Sequence, residues 1–219
     1  MRTIGVEKPR ISPLRLEGLP EADDAPIRAH GDYDGRHFGP RDVSGDDLAG
    51  VSFLECALDG WTAHDTRLRD ASFAQTRIEN LNAPVLRADR ASLRNVEIHR
   101  SRFGSADLSD TRVEQLVVSA SKLGWVNFRS ARLRDVVFRD CTFDELDLTG
   151  ADVSRMAFED CTAGKLTLAR SSVRHLDLRG LRFDGLDGPE GLRGAVLSSP
   201  QLAAMAGMFA EHFGIRVDD

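Results

Sequence analysis

The sequence predicts a solenoid, a rod made of one short unit repeated end to end. From Leu48 to Phe183 every fifth residue is apolar, 28 positions in an unbroken frame. Against the chain's 41% apolar background, the chance probability of that run is on the order of 10⁻¹¹. A second series lies two residues before each of these centres and is small or apolar. It includes Val51, Cys56, Ala71, Ala91, Val96, Ala106, Ala131, Cys141, Ala151 and Cys161, with Thr and Ser between them. A period of five fits neither 3.6 nor 2, which excludes ordinary amphipathic helices and flat strands. The chain must turn a corner every five residues and point two of them inward.

Written in blocks of twenty, the centres fall into columns. One reads Leu48, Leu68, Ala88, Leu108, Phe128, Leu148, Leu168, and the next Phe53, Phe73, Leu93, Val113, Leu133, Val153, Val173. A third begins Leu58, Ile78, Ile98; the fourth, the most uneven, runs from Ala63 through Phe103 and Leu123 to Phe183. The run from Phe138 to Phe143 recurs from Phe158 to Ala163, twenty residues later, with Asp-Cys-Thr intact.

Ala106-Asp107-Leu108, Ala151-Asp152-Val153 and Leu146-Asp147-Leu148 resemble the A-(D/N)-L-x-x unit of the pentapeptide-repeat family, and the resemblance covers about residues 46–185. It implies an all-β solenoid, a right-handed quadrilateral β-helix of four units per coil and about seven complete coils. Stacked at the strand spacing of ~4.8 Å, these make a rod roughly 34 Å long. Tyr33, Phe38 and Val43 continue the frame upstream, so a degenerate first coil is expected near residue 30.

The expected organisation is a leader over 1–29, the β-helix over 30–186, and a last strand with a capping helix over 187–219. The leader carries Pro9, Pro13, Pro20 and Pro26 and reads as extended or loosely packed chain. After Phe183 the frame fails, at Gly185 to Pro189, and Leu192 to Leu197 reads as a strand in shifted register. Ser198-Ser199-Pro200 is a helix start, with serine capping and proline in the first turn. Leu202, Met205, Ala206, Phe209 and Phe213 then recur at helical spacing, a stripe expected to plug the open end of the rod. In the related family a C-terminal segment builds a homodimer contact, so Leu202, Met205, Phe209 and Phe213 are the candidate cap or dimer residues.

Composition narrows the function. The chain has 29 basic and 35 acidic residues, net −6, which argues against direct nucleic-acid binding through phosphates. No run of 18 apolar residues is present to span a membrane. The N-terminus lacks the apolar stretch of a secretory signal, and a cytoplasmic location is the default expectation. Of fourteen aromatic residues eleven are Phe, which suits interior stacking better than ligand recognition.

Chemistry-bearing residues do not converge. Cys56, Cys141 and Cys161 all fall in the inward series and read as small buried fillers. His30, Asp32, Asp34 and His37 could ligate a metal, but no ligand spacing supports it and turn chemistry accounts for them equally well. Gly164-Lys165 lacks the upstream glycine of a phosphate loop, and no nucleophile elbow is present. A filled rod offers no interior cavity. No catalytic residue, cofactor or metal is expected, and an enzyme is the least favoured class.

Two surfaces remain. The family resemblance, distant to its Qnr-type quinolone-resistance members, implies one of them: an acidic rod that mimics duplex DNA and occupies DNA gyrase. The face of Leu58, Ile78 and Ile98 is the most acidic, with Asp59, Glu97, Asp140, Glu159, Asp160 and Asp177, partly offset by Arg77, Arg100, Arg139 and Arg179. The rod over 46–185 holds 20 basic and 22 acidic residues, interleaved as on a solubilising surface. The other surface is neutral. Pro84, Val85, Gly104, Ser105, Gly124 and Trp125 are uncharged across three consecutive coils, with Trp125 at an outward corner. Either the leader folds over it, or a partner or second copy covers it, or it stands exposed without consequence. The leading expectation is a non-enzymatic protein-interaction scaffold with an unknown protein partner, and the alternative is a gyrase-directed DNA mimic.

Overall fold

The computed structural model describes residues 5–218. Eighteen short strands run from Asp32–Asp34 to Ala195–Val196, and they form one eleven-stranded and one seven-stranded sheet. Every pairing is parallel. From Arg112↔Arg132 to Thr142↔Thr162 the partner lies 20 residues on, so each strand stacks on its counterpart one coil away. The result is a right-handed β-solenoid of about eight turns with a small C-terminal helical segment.

The corners explain the period. Nineteen non-glycine residues have positive φ, and all stand at the fifth position of the frame, among them Asp70, Asn95, Gln115, Asp135, Asp140, Arg155 and His175. A left-handed residue bends the strand's course in one step, and Asp and Asn tolerate that region better than most. Three of the four corners are turned this way along the rod. The fourth, at Val85, Ser105, Trp125, Glu145 and Lys165, has no positive φ, although Asp65 earlier in the same column does.

Both inward series fill the core. Tyr33, Phe53 and Phe73 stack ring on ring at 5.2 and 5.4 Å, and Phe138 lies over Phe158 at 5.4 Å. Polar members of the second series satisfy themselves against backbone carbonyls: Thr66 Oγ1 donates to Val43 at 2.8 Å and Thr76 Oγ1 to Ala74 at 2.9 Å. All three cysteines are free and buried. The neighbouring Cys161 sulfur, together with burial, pushes the Cys141 thiol well up from its ordinary value. The rod is not completely filled as expected. A wholly apolar void of about 80 Å³ lies between Leu68, Phe73, Ala88, Ala91 and Phe128, because Ala88 stands where the same column has leucine one coil either side.

The last strand shifts. Ala195 pairs with Leu176 and Val196 with Asp177, an offset of 19, so the predicted register change is present. Just upstream the frame outlasts its apolar signal: Leu181–Asp187 stays paired with Cys161–Thr167 through Asp187, beyond the expected break at Gly185. Backbone hydrogen bonding holds that strand where side chains no longer advertise it.

Candidate partner-binding faces

The leader docks, but not where the neutral patch expected it. Its backbone N–H groups are clipped to one corner: Glu7 donates to His175 Nδ1 at 3.2 Å, Arg10 to Asp135 Oδ1 at 2.9 Å and Ser12 to Gln115 Oε1 at 2.8 Å. It thus runs back along the rod towards the first coil, where Ala22 N–H donates to the His37 carbonyl and His37 N–H to that of Pro20. Val117 and Val137 point outward from the sheet, yet are only 6% and 3% exposed and lie outside the central core cluster. The leader is what covers them, with Val6, Pro9, Ile11 and Leu14 half-buried in return.

Trp125 is left 60% exposed, which overturns the leader as its cover. It sits between Ser105 and Glu145 in the ladder, on the corner that takes no left-handed turn from Val85 to Lys165. Pro84 is exposed, and Val85 and Ser105 are half-buried beside it. The two glycines of this patch have a reason of their own. A Cβ on Gly104 would stand 2.5 Å from the Pro84 carbonyl oxygen, and one on Gly124 would collide with the carbonyl oxygen of Gly104. Glycine is there because successive coils approach closely at this corner, so Gly104 and Gly124 carry no information about a partner.

The acidic candidates are dispersed, and three of the six are paired with arginines. Glu97 pairs with Arg77 at 3.3 Å, Glu159 with Arg139 at 2.7 Å and Asp177 with Arg179 at 2.6 Å. Hydrogen bonding and charge from Arg179 hold the Asp177 carboxyl below its ordinary range. Asp59 accepts from Asn80 Nδ2 at 2.6 Å. Asp140 and Asp160 occupy left-handed corners, with φ of 50° and 51°. Between these positions the outward row is Val117, Val137 and Ala157, apolar rather than acidic.

The expected single capping helix is two: α1 (Ser199–Ala204) and α2 (Ala206–His212), joined at Met205. Ser198 makes the predicted cap, its side chain accepting from Gln201 N–H while the Gln201 side chain accepts from Ser198 N–H. Gln201 Nε2 then donates to the carbonyls of Leu178 and Leu181 at 2.7 and 2.8 Å. That docking aims Met205 at the rod. Met205 is buried and Phe209 half-buried, while Leu202 and Phe213 are 54% and 71% exposed, so the apolar stripe is not a plug along its whole length.

Sequence reasoning missed Asp135, Gln115 and His175 as the leader's acceptors. Their signal was a shared fifth-position column, invisible until the leader's course was known. Among the described residues, no group of three or more His, Cys, Asp or Glu could hold a metal ion. No helix there is long and apolar enough to cross a membrane.

Residues 121–155 match the family model described as pentapeptide repeats (8 copies). Over that stretch the coils are pentapeptide repeats. No curated protein matches the chain. Among solved structures, the chain is similar to a trypsin-treated QnrB1, a plasmid-mediated fluoroquinolone resistance protein, at 20% identity and TM-score 0.33. The match covers 91% of this chain and 96% of that one. It is also similar to HetL, a pentapeptide-repeat protein involved in heterocyst differentiation regulation from the cyanobacterium Nostoc sp., at 16% identity and TM-score 0.28. That match covers 78% of this chain and 91% of HetL.

Proposed function

We propose that this pentapeptide-repeat rod is a non-enzymatic scaffold that presents its flat faces to a protein partner. The exposure of Trp125 carries the reading. A large aromatic ring stands out from a rigid sheet, between Ser105 and Glu145, that the chain's own leader passes by. Exposed tryptophan on a preorganised surface contributes contact area at little entropic cost, the character of an interface anchor. Leu202 and Phe213 on the helical cap are a second apolar surface, suited to a second copy of the chain. The DNA-mimic reading needs a continuous acidic face, and the pairing of Glu97, Glu159 and Asp177 with arginines weighs against it.

The test is affinity capture from extract of the source organism with wild-type and Trp125→Ala protein, beside a DNA gyrase supercoiling assay. The expected result is a discrete protein captured by the wild type, lost with Trp125→Ala, and no gyrase inhibition. Identical capture by both proteins, or equal gyrase inhibition by both, would overturn the assignment of the surface to Trp125. Leu202→Ser/Phe213→Ser in sedimentation equilibrium tests the cap: a wild-type dimer should become a monomer.

A further inference from the structure

The face of Leu93, Val113 and Leu133 carries an arginine cluster that the scaffold reading does not use. One ladder places Ser92, Arg112, Arg132 and Asp152 in register, and the next places Arg94, Glu114 and Arg134 beside them. With the leader's Glu7 as one wall, these ladders line an open groove of about 640 Å³. Six arginines meet three carboxylates there, on a chain whose net charge is −6.

Elsewhere on the rod arginines pair along or between coils, as Arg139 does with Glu159 and Arg87 with Asp65, both at 2.7 Å. In the groove the carboxylates are already engaged: Glu114 by Arg134 at 3.8 Å and Asp152 by Arg174 at 4.0 Å. Asp135, beneath, is held by Arg155 at 2.6 Å. Among the described residues no carboxylate lies within salt-bridge reach of Arg94, Arg112 or Arg132. Arg112 and Arg132 are moreover direct ladder neighbours, like-charged residues whose Cα atoms lie about one strand spacing apart, ~4.8 Å, an arrangement that destabilises a sheet. The fold does not require them, because Ser72 and Ser92 occupy the same row in the preceding coils.

We propose that this groove binds a short linear phosphate chain, with Arg112 and Arg132 bridged by its oxyanions and Arg94 and Arg134 flanking them. Guanidinium forks match phosphate oxygens two at a time, and an anion between Arg112 and Arg132 turns their repulsion into attraction. No Phe, Tyr or Trp lines the groove, and its one ring, the His175 imidazole, is held by the Glu7 backbone N–H, so recognition rests on charge. The volume is that of a small-molecule site.

Isothermal titration calorimetry of the full chain with sodium tripolyphosphate at low salt tests this. Saturable one-to-one binding is expected, weakened at least about tenfold by Arg112→Ser/Arg132→Ser, a loss of two charge-assisted contacts. Arg102→Ser/Arg182→Ser removes the same charge from the other sheet and should leave affinity unchanged. Absence of saturable binding, an equal loss in both double variants, or binding of a polyglutamate peptide but not tripolyphosphate would each overturn the site. Thermal melting keeps the variant interpretable. Arg112→Ser/Arg132→Ser should melt at or above the wild-type temperature, and a lower one would show that the arginines serve the fold instead.

Discussion

Asp135 grips the guanidinium of Arg155, one coil further on, through two hydrogen bonds of 2.6 and 2.7 Å, and the same carboxylate accepts the backbone N–H of Arg10. Both side chains are buried. One residue at a left-handed corner thus ties two coils together and fastens the leader over Val117 and Val137. Burial by itself would raise the Asp135 carboxyl, but hydrogen bonds from Arg155 and from the Arg10 N–H outweigh it and hold the carboxyl below its ordinary value.

Asp135→Ala should therefore leave Arg155 buried without its counter-charge and release the leader. Breaking a buried pair from one side costs about 3–5 kcal/mol. Urea denaturation should show a loss of that order, and limited proteolysis should cut the leader first. A variant with wild-type stability and a protected leader would show that the pair is not what holds it.

The pH dependence follows from the same carboxylate. Its pKa is depressed on folding from the ordinary 3.8, so its contribution is complete above that value and is lost as pH falls through the folded pKa. Leader protection in amide exchange should hold at neutral pH and decline below about pH 4. In Asp135→Asn that acid-dependent step should be absent.

Gly124→Ala should destabilise although the position bears no ligand. The new methyl group meets the Gly104 carbonyl oxygen, and the coils must spread to admit it. Overpacking of this kind costs about 1–3 kcal/mol. Trp125→Ala, one residue on, removes an exposed ring and should leave the melting temperature within a degree or two, so the pair of variants separates backbone sterics from surface exposure.

Ala88→Val should stabilise. Its added carbons enter the apolar void of about 80 Å³ and displace no polar group. About 1 kcal/mol is expected from the extra burial. A lower midpoint of unfolding would mean that the void's shape does not admit the side chain at Ala88.

Gln201→Ala removes the two bonds to Leu178 and Leu181 together with half of the capping box. A net loss of about 1–3 kcal/mol, confined to the last coil, is expected for leaving the Leu181 carbonyl unpaired, while that of Leu178 keeps the Leu181 N–H. Hydrogen exchange should accelerate over 181–196 while the middle coils stay protected. Light scattering should rise as the uncovered end associates.

Much of the rod was legible before any coordinate. Five-residue spacing from Leu48 to Phe183, the inward cysteines and the shifted strand at Ala195–Val196 all have their cause within one coil or between adjacent ones. Ser198 and Pro200 likewise announced a helix start through purely local chemistry. The surface was read less well. Gly104 and Gly124 looked like part of a neutral docking patch, yet their Cβ-free backbone answers a close approach between coils. Leu202 to Phe213 carried helical spacing but not the break at Met205, because Gln201's grip on the last coil decides which side of the helix faces inward.

The division has a physical origin. Sequence by itself determined the repeat, the two inward series and the coil of twenty, since a periodic apolar pattern admits one way of hiding itself from water. Tertiary structure alone decided where the leader lies. Its clips are Gln115, Asp135 and His175, more than 100 residues away in the chain, and each is an ordinary polar corner until a strand of backbone N–H groups is laid beside it. It also decided that Trp125 stays exposed, that Glu159 is paired with Arg139, and that Arg112 stands beside Arg132. Those outcomes depend on which side chains the coils bring together, and charge pairing between coils is weakly encoded because many surface arrangements differ by less than a kilocalorie.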